Sequence, residues 1–154
     1  MFELHEQLKK DTVAVGQFNL CLVLLHKDAN YPWVILVPKR NNVREIHHLA
    51  EADQAQLIRE SSHLSEVMTS LFAPTTMNIA ALGNIVSQLH VHHVARFDGD
   101  PAWPRAVWGY GDPKPYSDSE MADRLNRLHS SLVGEGFEAQ CGVTKEADGG
   151  SFSP

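Results

Sequence analysis

The stretch from residue 88 to residue 96 constrains the fold most, because polar and apolar side chains alternate along it. Successive side chains of an extended strand point to opposite faces of the sheet. Gln88, His90 and His92 are therefore predicted to form a row on one face. His93 is predicted on the other face, in a structural role or at a dimer surface. A solvated strand face also tolerates histidines, but His, Asn, Gln and Arg are concentrated between residues 83 and 97, which favours a site for an anion or a metal.

The apolar patterning of the rest of the chain predicts an α+β domain with an antiparallel sheet of about five strands. Gly16 and Gln17 are predicted to form the first hairpin turn. A capping box at residues 117–120 predicts the start of a C-terminal helix. The other predicted elements are a short helix at 3–10, strands at 12–15, 18–25, 33–37 and 76–82, and one long helix at 51–72.

The length of 154 residues predicts one domain, which we place at residues 1–136, followed by a tail at 137–154 with a mobile end. No apolar run approaches the ~20 residues that cross a bilayer, so no membrane association is expected. The first residues lack the pattern of a secretory signal, and a cytoplasmic location is expected. Cys21 and Cys141 are far apart, so neither a disulfide framework nor a cysteine zinc site is predicted.

The formal net charge is −6 at pH 7, and Lys and Arg form no block on a predicted helix. General nucleic-acid binding is therefore not expected. An anionic substrate such as a phosphate ester would need local partners, because the overall field would repel it. The candidate partners are main-chain N–H groups and the side chains of His90, His92, Lys39, Arg40, Arg96 and Arg105.

These features resemble the histidine-triad (HIT) superfamily of nucleotide hydrolases and transferases, whose signature is His-φ-His-φ-His-φ-φ, with φ hydrophobic. The best register places Gln88, His90 and His92 in the three histidine positions. Gly83-Asn84 then matches the turn that precedes the signature, and Arg96 matches a trailing Arg. Residues 33–40, Trp-Val-Ile-Leu-Val-Pro-Lys-Arg, resemble the family strand that ends in Val-Pro-Lys or Val-Pro-Arg. The similarity covers about residues 10–97; Gln88 in place of a histidine and His93 in place of a hydrophobic residue depart from it.

The resemblance implies that His90 attacks the α-phosphorus of a nucleotide, giving a nucleotidyl-histidine that water then cleaves. An ordinary imidazole, with a pKa of about 6.5, is largely neutral and nucleophilic at pH 7. His92, roughly 7 Å further along the strand, would contact phosphate oxygens or the leaving group as a donor or proton source. Gln88 would orient its neighbour, so the predicted catalytic residues are His90, His92 and Gln88.

The predicted substrate-binding residues are Asn84, Asn78 and Arg96. Asn84 and main-chain N–H groups would stabilise charge in the transition state. Asn78 matches the neighbourhood of a family asparagine that contacts phosphate. The ribose-binding residue of the family falls near Asp28 or Asn30.

The sequence thus predicts a HIT-type hydrolase of a dinucleoside polyphosphate or a nucleoside phosphoramidate. No cofactor and no protein-bound metal are expected, although Mg²⁺ could accompany the substrate. Similarity also implies a homodimer, for which the Trp103 and Trp108 segments are candidate contacts. One alternative is a metal site of His90 and His92 with a third ligand from His26, His47, His48 or His63. Another is a nucleotide-binding module without catalysis.

Overall fold

The computed structural model describes residues 1–140, which form three α-helices and one antiparallel sheet of six strands. The helices are α1 (Glu6–Asp11), α2 (Glu51–Phe72) and α3 (Asp118–Ser131). The strands are β1 (Thr12–Gln17), β2 (Cys21–His26), β3 (Trp33–Pro38), β4 (Thr76–Ala81), β5 (Val91–Arg96) and β6 (Glu138–Ala139). Their order in the sheet is β4-β5-β3-β2-β1-β6. The predicted α+β class is confirmed, with one strand more than expected.

The two faces of the sheet carry two apolar clusters. One cluster joins α2 and α3 to the sheet through Leu57, Leu64, Met68, Leu125, Leu128 and Leu132, which pack against strand residues such as Val91 and Ala95. The other cluster contains Trp33, Ile35 and Val94, covered by Leu8 of α1 and by the loop that follows β5. The alternation along β5 therefore directs neighbouring residues into different layers.

His93 lies in the layer shared with α2, and its side chain is fully buried. Its Nε2 is 2.7 Å from Ser61 Oγ, and its Nδ1 is 3.1 Å from the Val91 carbonyl oxygen. A carbonyl oxygen only accepts, so Nδ1 donates and Nε2 accepts from the Ser61 hydroxyl. Burial lowers the pKa of His93 from 6.5 to about 4. His93 faces away from His92 as predicted, and it is a neutral core residue rather than a dimer contact.

Helix α2 begins and ends at the predicted residues. Glu51 and Asp53 place negative charge in the first turn of α2, where it interacts favourably with the helix dipole. Ala73, with φ 48°, closes the helix in the left-handed conformation and donates its N–H to Thr69 O. The capping box of Ser117 and Glu120 opens α3, as the sequence predicts.

The prediction of a turn at Gly16 and Gln17 is wrong, because both residues belong to β1. The chain turns at residues 18–20, where Phe18 N–H bonds Cys21 O at 2.8 Å. The buried Glu60 of α2 supports this turn by accepting the N–H groups of Leu20 and Cys21, at 2.8 and 2.9 Å. Glu60 lies 40 residues after Leu20 in the sequence, so the local sequence pattern around the turn does not predict this interaction.

Strand β6 lies beyond the predicted domain boundary at residue 136. It pairs with β1 through Gly16 opposite Ala139 and Gln17 opposite Glu138. A Cβ at Gly16 would collide with the main-chain oxygen of Glu138, so glycine permits this approach. The predicted mobile end of the tail lies outside the described residues. Within residues 1–140, no helix is both long and apolar enough to cross a membrane.

Candidate active site

A cleft of about 550 Å³ opens beside β5, on the face of the sheet that carries Trp33. Helix α1 lines one side of it, the ends of β2 and β3 form its wall, and the loops before and after β5 complete it. The lining residues that carry polar or aromatic groups are Gln7, Asp11, His26, Asp28, Trp33, Asn84, His90, His92, Trp108 and Tyr110. The cleft thus brings both predicted catalytic histidines together with Asn84.

His90 immediately precedes β5 and is only 6% exposed. Its Nδ1 is 2.7 Å from the Gln88 carbonyl oxygen. A carbonyl can only accept, so the hydrogen of the neutral ring is on Nδ1 and the lone pair is on Nε2. Within residues 1–140, Nε2 makes no hydrogen bond to the protein. The local backbone therefore holds His90 in the tautomer that suits a nucleophile.

His92 is held in the opposite tautomer by Trp33. The indole Nε1–H of Trp33 donates to His92 Nδ1 at 2.9 Å, so the hydrogen of the neutral ring is on Nε2. Burial, together with the neighbouring histidines, lowers the pKa of His92 from 6.5 to about 3. The ring is therefore uncharged at pH 7. The His90 and His92 ring centroids are 4.9 Å apart, closer than the strand spacing alone predicts.

Gln88 contributes to this site through its main chain, and its side chain leaves the predicted row. Its Oε1 accepts the N–H of His5 at 2.9 Å, and its Nε2 donates to the Glu3 carbonyl at 2.9 Å. The row breaks here because β5 starts only at Val91. Gln88 thus ties the N-terminal segment to the residue whose carbonyl orients His90.

Two of the three predicted substrate contacts lie outside the cleft. Arg96 is 1% exposed, and its guanidinium forms two hydrogen bonds to Asp100, at 2.8 and 2.9 Å. Its Nη1 also donates to Asn78 Oδ1 at 2.8 Å. The buried Arg96 guanidinium therefore bonds the half-buried Asn78 side chain, and of the three predicted substrate contacts only Asn84 lines the cleft.

The other basic candidates also lie elsewhere. Lys39 donates to Gln17 Oε1 at 2.9 Å, Arg40 forms an ion pair with Asp53 at 2.7 Å, and Arg105 is exposed outside the cleft. Among the described residues, the cleft lining contains the carboxylates of Asp11 and Asp28 but neither Lys nor Arg. An anionic group in this cleft would be met by neutral donors.

The rings of His26, Trp33 and Trp108 form an aromatic wall beside His92, which the sequence analysis did not predict. Trp33 stacks on His26, with ring centroids 4.0 Å apart and planes 12° apart. Trp108 meets His92 edge-on, with ring centroids 5.4 Å apart. Burial lowers the pKa of His26 below 6.5. Of the two candidate dimer contacts, Trp108 lines the cleft and Trp103 contacts Arg96.

Within residues 1–140, the metal-site alternative lacks the ligands it requires. Among residues 1–140, no three His, Cys, Asp or Glu side chains are arranged to hold a metal ion. Of the histidines considered as a third ligand, only His26 lines the cleft, and its Nδ1 accepts the Asp28 N–H at 3.1 Å. A zinc site needs at least three protein ligands. The geometry therefore favours acid-base and nucleophilic roles for these rings.

The antiparallel α+β domain and its paired imidazoles of opposite tautomer define a protein of the histidine-triad class. The model of the HIT domain family matches residues 7–99. The chain therefore belongs to the HIT family. Membership supports a nucleotide-binding or hydrolase function of the HIT type.

Solved structures of histidine triad proteins are similar over most of this chain. One from Marinobacter aquaeolei VT8 is 50% identical, with a TM-score of 0.84 over 86% of this chain and 96% of that one. One from Bradyrhizobium japonicum is 45% identical, with a TM-score of 0.84 over 86% and 98%. One from Sinorhizobium meliloti 1021 is 39% identical, with a TM-score of 0.83 over 86% and 98%. A comparison with curated proteins gave no match.

Proposed function

We propose that this protein hydrolyses a nucleotide substrate through a covalent nucleotidyl intermediate on His90. The observation that carries the proposal is the 2.7 Å hydrogen bond from His90 Nδ1 to the Gln88 carbonyl, which leaves the Nε2 lone pair free in the cleft. The substrate is a dinucleoside polyphosphate or a nucleoside phosphoramidate. No resident cofactor is needed for this chemistry; a Mg²⁺ ion would enter with the polyphosphate chain of the substrate.

The reaction has two displacement steps. In the first, the His90 Nε2 lone pair forms a bond to the α-phosphorus, and the bond to the leaving group breaks with its electron pair on the departing atom. In the second, water attacks the same phosphorus and releases a proton to the solvent, the P–N bond breaks, and its electron pair returns to Nε2. His92 Nε2–H donates a hydrogen bond to phosphate or leaving-group oxygens, and Asn84 supplies a further neutral donor.

The nucleoside would occupy the part of the cleft beside the aromatic wall, where apolar faces can contact a base. Asp28 is the better candidate for the ribose, because its carboxylate lines the cleft and can accept hydroxyl hydrogens. Its Oδ1 already accepts the N–H groups of Asn30 and Lys114, at 3.0 and 3.1 Å, which fixes the carboxylate in place. Asn30 is instead bonded to Asp112 O at 3.2 Å.

Capture of the intermediate tests this proposal directly. Purified protein is incubated with a panel of adenylated and guanylated substrates, quenched in alkaline denaturant that preserves P–N bonds, and digested for mass spectrometry. We expect one nucleotidyl group on the peptide that contains His90. Turnover with no adduct, or with an adduct on another residue, would contradict the mechanism. Tight nucleotide binding with neither turnover nor adduct would favour the binding-module alternative.

We further propose a homodimer formed through the edge of the sheet at β4. In the described part of the chain β4 pairs only with β5, so its other edge has unpaired main-chain groups. Ile79 on this strand is 51% exposed. A second copy could pair with the edge and cover this side chain.

A charged side chain in β4 should therefore separate the protomers. We expect Ile79→Lys to be monomeric in light scattering, whereas the unmodified protein has twice the monomer mass. Ile58→Lys is the matched control, because Ile58 is 60% exposed on α2 and does not belong to the sheet. A monomeric unmodified protein, or an Ile79→Lys dimer, would contradict the β4 interface.

A further inference from the structure

We propose that Trp33 is a positioning residue that holds His92 as an uncharged hydrogen-bond donor, and that this arrangement selects substrates whose leaving group departs as an oxyanion. The inference rests on the proposed function and chooses between its two substrate classes. It favours phosphoanhydrides, such as dinucleoside polyphosphates, over phosphoramidates with an amine leaving group.

The first step of the argument is the direction of the hydrogen bond between Trp33 and His92. An indole N–H can only donate, so Nδ1 of His92 must keep its lone pair to accept this bond at 2.9 Å. A charged imidazolium would carry hydrogen on both ring nitrogens, and its Nδ1–H would then point at the indole N–H. Protonation of His92 therefore costs the hydrogen bond and places two donors in contact.

The second step is that Trp33 cannot turn away from His92 easily. Its side chain is 6% exposed, stacked on His26 at 4.0 Å between ring centroids and edge-on to Trp108 at 6.0 Å. Rotation of the indole would disrupt both contacts and leave a cavity beside the core, which is costly in a packed interior. Burial of His92 acts in the same direction, since it lowers the pKa of the ring to about 3.

The third step is that the neighbouring side chains do not supply the leaving group with the proton that a charged His92 would have donated. Asp11 accepts from Gln7 Nε2 at 2.9 Å, and Asp28 accepts main-chain N–H groups, so both carboxylates act as acceptors. His26 Nδ1 also accepts an N–H, and burial lowers its pKa. Tyr110 also lines the cleft, but this residue is 43% exposed to solvent.

The chemistry of the two leaving groups then differs. When His90 Nε2 attacks a phosphoanhydride, the P–O bond breaks and its electron pair stays on a phosphate oxygen, which is stable as an anion without a proton. When it attacks a phosphoramidate, the breaking P–N bond leaves the pair on nitrogen, which needs a proton to depart as an amine. A neutral His92 Nε2–H can stabilise the oxyanion by a hydrogen bond, but it is a poor proton donor to nitrogen.

The test compares kcat/KM for a dinucleoside triphosphate with that for the phosphoramidate of the same nucleoside. Because general acid catalysis contributes on the order of 10²-fold or more, we expect the unmodified protein to favour the anhydride by at least about 10²-fold. Trp33→Phe removes the donor and should narrow this preference by about 10-fold. Trp103→Phe is the matched control: it also replaces an indole by a phenyl ring, but Trp103 lies outside the cleft lining against Arg96 and leaves the bond from Trp33 to His92 intact, so the ratio should stay unchanged.

A second readout follows the His92 tautomer in ¹⁵N NMR spectra of the unmodified protein. We expect hydrogen on Nε2 and none on Nδ1, and a mixture of tautomers in Trp33→Phe. Comparable kcat/KM for the two substrates, hydrogen on His92 Nδ1, or an unchanged ratio in folded Trp33→Phe would overturn the role of Trp33. Failure of the proposed function looks different: neither substrate is cleaved and no adduct forms, even with the expected His92 tautomer.

Discussion

Replacing His90 with alanine is expected to lower kcat/KM by at least about 10⁴-fold and to abolish the covalent adduct. The reason is that Nε2 of this ring is the atom that bonds to phosphorus, and the Gln88 carbonyl fixes its lone pair in the cleft. His92 cannot take over this role, because the hydrogen of its neutral ring is on Nε2 and its Nδ1 lone pair is occupied by Trp33. Initial rates and adduct mass spectrometry on the same samples measure both effects.

The matched control is His47→Ala, which removes an exposed imidazole outside the cleft. It should leave both the rate and the adduct unchanged. His90 is buried, so circular dichroism and urea unfolding of His90→Ala must show a folded protein. Hydrolysis at the unmodified rate by folded His90→Ala would exclude His90 as the nucleophile.

The sequence predicts this fold well where local signals are strong. The bounds of α2 follow from its apolar stripe and from Pro74, and the start of α3 follows from the Ser117 capping box. The turn after β1 could not be predicted, because it is stabilised by the buried carboxylate of Glu60, which belongs to helix α2. Strand β6 is only two residues long and depends on the space above Gly16.

In the candidate site too, features set by local sequence patterns were predicted and features set by long-range contacts were not. The alternation from residue 88 to residue 96 predicted a row of Gln88, His90 and His92, of which His90 and His92 line the cleft and Gln88 does not. His93 lies on the other face of the sheet, against Ser61 of α2. Trp33 was missed because its role depends on β3 pairing with β5, where Trp33 lies opposite Val94, and these strands are far apart in sequence. A hydrophobic residue at the start of a buried strand gives no local sign that its N–H orients a histidine.

Arg96 illustrates how a motif residue can match a family pattern and still serve the fold. Its guanidinium is buried, and Asp100 accepts from it through both carboxylate oxygens, at 2.8 and 2.9 Å. Asp100 also accepts the main-chain N–H groups of Phe97 and Trp103, at 3.0 and 2.8 Å. The pair therefore fixes the start of the loop that carries Trp108 into the cleft.

Asp100→Ala is consequently expected to destabilise the protein by about 3–5 kcal/mol, since it leaves the Arg96 charge buried with Asn78 as its remaining side-chain acceptor. Urea unfolding measures this loss. Asp98→Ala is the matched control: Asp98 is exposed and bonds Thr75 through its main-chain N–H, so its removal should change stability by no more than about 0.5 kcal/mol. Equal effects of the two variants would show that the buried pair does not stabilise the fold.

The pH dependence of stability gives an independent check on this ion pair. Burial by itself raises the pKa of Asp100, but the hydrogen bonds from Arg96 and Phe97 and the charge of Arg96 outweigh burial and lower the pKa below its ordinary value. A carboxyl whose pKa is lower in the folded state stabilises the protein above its unfolded pKa of about 3.9, and this stability is lost as the pH falls toward the folded pKa. Unfolding free energies should therefore fall less between pH 5 and pH 2 in Asp100→Ala than in the unmodified protein. Adding Arg96→Met to Asp100→Ala should recover part of the stability at neutral pH, because it removes the unpaired charge rather than restoring the pair.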